Sequence, residues 1–125
     1  GLAPSAILER VRKLERRGVI RGYSARLDAR ALGQQLLAFV FVQADERPGG
    51  SGLGERLAAL PEVQEVHHVA GEDCYLLKVR TADTESLGRL IRERLRAIPQ
   101  VRSTRSTIVL ETVKEELALP LPPAP

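Results

Sequence analysis

The stretch from Leu36 to Ala44, LLAFVFVQA, is apolar at both alternating sets of positions. A strand whose odd and even side chains are both apolar has no face for water, so it belongs inside a sheet with cover on each side. The neighbouring sequence supplies one of those covers. Pro48, Gly49, Gly50, Ser51, Gly52 and Gly54 form a loose loop into a short helix that runs to Leu60 and is stopped by Pro61. Two strands, Val63 to Ala70 and Cys74 to Thr81, flank Gly71-Glu72-Asp73 as a hairpin-like pair. A second helix is expected from about Thr84 to Ile98. Its stripe is Leu87, Leu90, Ile91, Leu95 and Ile98, and Asp83 or Thr84 caps it. Val101 to Thr112, rich in β-branched residues, gives the last strand.

The order from residue 36 is therefore β-α-β-β-α-β, an α+β, ferredoxin-like arrangement with both helices on one side of a four-stranded sheet. One sheet face is then left bare. Because the first strand is apolar both ways, that face is expected to meet its copy in a second subunit, giving a homodimer and, beyond it, an oligomer of dimers.

Upstream, Pro4 suits a first helical position, Ile7, Val11 and Leu14 repeat at helical spacing, and Arg16 and Arg17 precede Gly18. One amphipathic helix over about residues 4–17 presents Ser5, Ala6, Glu9, Arg12, Lys13 and Arg16 opposite the apolar stripe. Val19 to Leu27 alternates and reads as a linker strand. The chain accordingly divides into residues 1–18, a linker over 19–35, a βαββαβ unit over 36–115, and a Pro-rich tail over 116–125 that is unfit for helix or sheet. Charge follows the same division. Residues 1–30 hold eight Lys/Arg against three Asp/Glu, whereas the rest hold eleven against thirteen, although the whole 125-residue chain carries only +3. A field gathered on one helix attracts polyanions such as DNA.

Several function classes fit the sequence poorly. No apolar run approaches the roughly 20 residues that cross a bilayer, so no membrane role is expected. A single cysteine, Cys74, rules out an internal disulfide and suits a reduced, cytoplasmic setting. His67 and His68 are adjacent in a strand and point to opposite faces, so no metal site is expected there. The glycine run after Leu36–Ala44 lacks the Lys-Ser/Thr pair of a phosphate-binding loop. No catalytic set emerges, and the chain is expected not to be an enzyme and to need no cofactor.

The segment LAPSAILERVRKLERRGVIRGYSARLD, Leu2 to Asp28, resembles the recognition helix and following strand of the leucine-responsive regulatory protein/AsnC (Lrp/AsnC) family of transcription regulators. The later strand VRSTRSTIVLETVKE, Val101 to Glu115, is similar to the end of that family's βαββαβ effector domain. The resemblance implies a helix-turn-helix whose second helix enters the major groove of double-stranded DNA. Ser5, Ala6, Glu9, Arg10 and Lys13 occupy the matching positions. Ser5 and Arg10 would bond phosphate or base, Lys13 would attract phosphate, and Glu9 would accept from cytosine or repel the backbone. Charge pattern alone leaves open a solvated basic face. The family carries two helices before this one, so the expectation is a piece of a longer regulator or a shortened relative with a remnant of the helix-turn-helix.

The same resemblance places Gly71-Glu72-Asp73-Cys74-Tyr75 where the family shows a G-x-x-D-Y-L-L loop that helps bind a small amino acid at a subunit interface. Cys74 stands where the aspartate is usual, with Glu72 and Asp73 beside it. Loop amides suit a carboxylate, and acidic side chains suit an amine. Thr104 and Ser106 match family residues near that pocket. The plainer account is a glycine turn with solvated acids and strand residues that pair across the sheet. The function implied is an amino-acid-responsive transcription regulator whose DNA-binding half is incomplete here. A stand-alone effector module without DNA binding and a small ferredoxin-like enzyme are the alternatives.

Overall fold

The computed structural model describes residues 3–45 and 52–122. Pro48 to Ser51 of the expected glycine-rich loop and residues 123–125 of the tail lie outside the described residues. In chain order the elements are α1 (Pro4–Arg16), β1 (Leu36–Ala44), α2 (Leu53–Ala58), β2 (Val63–His68), β3 (Tyr75–Thr81), α3 (Thr84–Arg89) and β4 (Val101–Ile108). The four strands form one antiparallel sheet in the order β2-β3-β1-β4. The strand that is apolar on both faces is thus central, between β3 and β4, as its composition requires.

Residues directly opposite across an antiparallel pair share a face. Ala38, Val40 and Val42 of β1 lie opposite Val79, Leu77 and Tyr75 of β3. With Leu53, Leu57 and Leu60 beneath α2, and Leu87, Leu90 and Leu95 from the second helix, they form the core. Eight of these side chains are sealed completely or nearly so, Leu77 and Leu95 among them. Gly54 of α2 faces the Tyr75 ring, from which a Cβ would stand 3.6 Å away in ordinary contact.

Element ends fall short of the sequence expectation at several places. The β2–β3 hairpin stops at His68 and restarts at Tyr75, and β4 ends at Ile108, opposite Ala38 of β1. The second helix begins as expected, with the Asp83 carboxylate accepting from the Ser86 amide at 2.7 Å. It then widens into a π-helical segment over Leu90–Leu95, closing with the Arg96 amide on the Ile91 carbonyl at 2.9 Å. The alternating stretch Val19 to Leu27 joins no β-ladder among the described residues. Alternation makes a strand only where an edge accepts it, and within one chain none does. In α1, Ile7 and Leu8 are half exposed, because no other element of the described chain covers them.

The face away from the helices is not left wholly bare. After β4 the chain turns back across it, and Glu115 is gripped there. Its carboxylate accepts from Lys78 Nζ at 2.7 Å and from Arg80 at 3.4 Å, while its carbonyl accepts from Arg26 of the linker at 3.3 Å. Between this strap and the sheet lies an open groove of about 570 Å³, with Leu37, Phe39, Lys78 and Val109 along it. Leu110, Val113, Leu117, Leu119 and Leu121 point outward with at least 80% of their surface exposed.

Candidate functional site

The hairpin between β2 and β3 needs a residue with φ of +132° at Gly71, a conformation a side chain would strain. The turn closes with the Val69 amide on the Cys74 carbonyl at 2.9 Å, and the Cys74 amide reaches the Val42 carbonyl of the central strand at 3.0 Å. Cys74 is half-buried, packs against the core and donates its thiol to the Ala44 carbonyl at 3.4 Å. Its thiol is thereby engaged in holding the loop to the end of β1.

Two further tethers reach the loop from the open sheet face. Gln43 Nε2 donates to the Glu72 carbonyl at 3.3 Å, and Gln43 Oε1 accepts from Ser103 Oγ at 3.1 Å. Beside them, Arg105 Nη2 donates to Asp73 Oδ2 at 2.9 Å. The guanidinium lies over the Phe41 ring, 4.4 Å from its centroid, directly opposite it in the β1–β4 register. Phe41, Gln43, Ser103 and Arg105 were not singled out by sequence reasoning. The signal lay in the period of two along STRST, whose other parity faces the loop tethers.

Gly71, Glu72, Asp73 and Cys74 therefore come together with three residues of the open face. Tyr75 lies elsewhere, buried on the helix side and stacked on His68 at 4.8 Å. Thr104 and Ser106 are opposite Val42 and Val40, which also puts them on the helix side of the edge strand, half-buried and exposed respectively. His67 and His68 diverge as adjacent strand residues must. His67 faces the open side and meets Glu65 at 2.9 Å. That bond, with Lys78 nearby, holds the Glu65 carboxyl below its ordinary range. The Glu115 carboxyl is lowered likewise, chiefly by its bond to Lys78.

On α1, Ser5, Glu9, Arg10 and Lys13 are exposed and Ala6 is half-buried, all within one helix that Pro4 opens and no side chain caps. Glu15 on the same helix accepts from Tyr23 Oη of the linker at 3.1 Å, which ties the helix to the segment after it. Among the described residues, no helix is long and apolar enough to cross a membrane, and no group of three or more His, Cys, Asp or Glu could hold a metal ion.

Comparison with known proteins bears directly on this arrangement. The model of the Lrp/AsnC ligand binding domain matches residues 37–119, from β1 through the strap. The HTH-type transcriptional regulator LrpA of Mycobacterium tuberculosis is 44% identical over 118 residues, covering 90% of this chain and 73% of that protein. The leucine-responsive regulatory protein of Escherichia coli is 40% identical over 119 residues, covering 92% and 71%. Among solved structures, a feast or famine regulatory protein from M. tuberculosis complexed with L-methionine superposes with a TM-score of 0.85 at 41% identity, over 95% of this chain and 80% of the other. A transcriptional regulator of Neisseria meningitidis, also in complex with L-Met, gives 0.88 at 28% identity, over 95% and 78%. The extent of the domain match, the identity over nine-tenths of the chain and the shared fold place this chain in the Lrp/AsnC family of transcription regulators.

Proposed function

We propose that the chain is a subunit of an amino-acid-responsive transcription regulator that works in the cytoplasm as a homodimer or an assembly of dimers. The observation that carries this reading is the fastened 71–74 loop in a fold shared with two regulators solved with L-methionine. Loop amides around Gly71 receive the ligand carboxylate, and the Asp73 and Glu72 side chains receive its ammonium. Cys74 and Tyr75 hold the loop's second half to the core, and Thr104 and Ser106 line the adjoining sheet edge.

Two copies pair through the open sheet face. Phe39 and Leu76 are only half-buried there, and the strap presents a row of outward leucines. Apolar surface of this extent on one side of a small domain is the usual mark of a protein contact. Residues 36–115 act as the effector and pairing unit and residues 19–35 as the linker. Within residues 1–18, α1 places Ser5, Ala6, Glu9, Arg10 and Lys13 toward the DNA major groove, and residues 116–125 extend from the strap.

The activity is linkage and not catalysis. An amino acid that binds one assembly of dimers better than another shifts that equilibrium and so the spacing of the DNA-reading helices. A coupling of about 1–3 kcal/mol changes occupancy 5- to 150-fold. Calorimetric titration with each of the twenty L-amino acids tests the reading. At least one is expected to bind saturably at or below millimolar concentration, and no heat from any of them would reject the effector role.

A further inference from the structure

We infer that Arg105 is the positioning residue of the effector loop, fixing Asp73 so that its second carboxylate oxygen meets the ligand's ammonium. The inference rests on the reading of residues 71–74 as the amino-acid site and adds the part that orients it.

The geometry is specific to Arg105. In β4, Arg102 pairs with Asp45 at 3.4 Å, a contact between two largely exposed side chains. Arg105 instead lies flat on Phe41, the residue opposite it on the neighbouring strand, and only from there reaches Asp73. A planar, delocalised guanidinium resting on a ring loses little further freedom when it bonds a carboxylate, which a flexible ammonium cannot match. Asp73 is also the better-sheltered partner, with its side chain 30% exposed against 65% for Arg105. The bond engages Oδ2, and among the described residues no hydrogen bond reaches Oδ1. One carboxylate oxygen is thus spent on orientation and the other is left for a cation.

The second tether makes the loop rigid instead of merely attached. Ser103, two residues before Arg105 and on the same face, holds Gln43, which holds the Glu72 carbonyl. Consecutive loop residues are therefore fixed from consecutive same-face positions of β4, one through the main chain and one through the side chain. Both anchors stand on the face proposed to pair with a second copy, so a ligand drawn to Asp73 is felt at that face through Arg105.

The test compares Arg105→Gln and Arg105→Lys with Arg102→Gln, a control on the same strand away from the loop. L-methionine and N-acetyl-L-methionine, which lacks the ammonium, are titrated calorimetrically, and amide hydrogen exchange at residues 71–75 is measured without ligand. Loss of one partly exposed charged hydrogen bond is expected to weaken L-methionine binding about fivefold in Arg105→Gln. Arg105→Lys is expected to recover part of that loss, Arg102→Gln to match the parent, and the N-acetyl compound to bind all four proteins with equal weakness. Equal loss for both compounds would make Arg105 a general support of the loop and overturn the inference. If the parent binds neither compound, methionine is not the effector of this chain, and exchange then decides the positioning role. Asp73 and Cys74 amides should exchange several-fold faster in Arg105→Gln than in Arg102→Gln, and equal rates would refute it.

Discussion

Replacing Phe39 by Asp probes the pairing of two subunits at its centre. Phe39 sits on the open face of the central strand, opposite Lys78 on one side and Thr107 on the other, and lines the space under the strap with Leu37 and Val113. It is half-buried in the single chain, so its remaining surface is what a partner would cover. Burying a phenylalanine completely is worth about 1.5–3 kcal/mol. At most about a third of that is still to be gained on pairing, and a twofold interface contains the residue twice, so the apolar loss alone is about 1–2 kcal/mol per dimer. Each introduced carboxylate must also lose water, and Lys78 across the strand pair offsets part of that cost within the same subunit. The dimer dissociation constant is therefore expected to rise at least 5- to 30-fold, since every 1.4 kcal/mol is a factor of ten. Sedimentation velocity over a concentration series reads this directly. Far-ultraviolet circular dichroism confirms that the subunit stays folded, as its core lies on the other face. A folded Phe39→Asp protein with an unchanged association constant would refute the assignment of the open face as the pairing surface.

Two further outcomes follow from the packing and the charges. Leu77, fully buried in β3 between the sheet and the helices, should cost about 2–5 kcal/mol when cut to Ala, seen as a lower urea midpoint with little change in slope. The Glu115 carboxyl, held below its ordinary value of 4.5 by Lys78 and Arg80, stabilises the strapped state above that value. That contribution is lost as pH falls through the lowered folded value. Amide protection factors in residues 109–117, taken relative to the intrinsic exchange rate at each pH, should therefore fall on acidification in the parent protein, and in Glu115→Gln they should already be low at neutral pH and nearly flat with pH.

Much of the fold was legible because short-range patterns and long-range packing agree here. LLAFVFVQA has only one comfortable place, the interior of a sheet, and β1 occupies it between β3 and β4. Asp83 followed by Ser86 announces a cap, and the capping bond forms. What stayed hidden depends on partners far along the chain. Nothing local to Glu115 foretells Lys78, Arg80 and Arg26, which lie 35 or more residues away and together pin the strap across the sheet. The π-helical widening at Leu90–Leu95 has no signature in a stripe that a regular helix would satisfy equally well.

The candidate site divides along the same line. Gly71 and the acids beside it could be read as a turn, because a glycine and clustered carboxylates are local features, whereas an amino-acid site at that turn was implied only by the family resemblance. Which side chains orient that turn depended on the register of β4 against β1. Shifting attention by a single residue along Ser103-Thr104-Arg105-Ser106 exchanges one sheet face for the other. The linker illustrates the converse case. Val19 to Leu27 has the alternation of a strand, yet among the described residues it pairs with neither edge of the sheet, β2 or β4.

The most direct measurement is a heteronuclear NMR titration of the uniformly 15N-labelled chain with a saturating L-amino acid. Amides of Gly71, Glu72, Asp73 and Cys74 are expected to shift first and furthest, followed by Gln43, Ser103 and Arg105 along the tethers, with the α1 amides unmoved by direct contact. Saturable binding whose largest shifts fall away from the 71–74 loop, or a spectrum that no amino acid perturbs, would contradict the account.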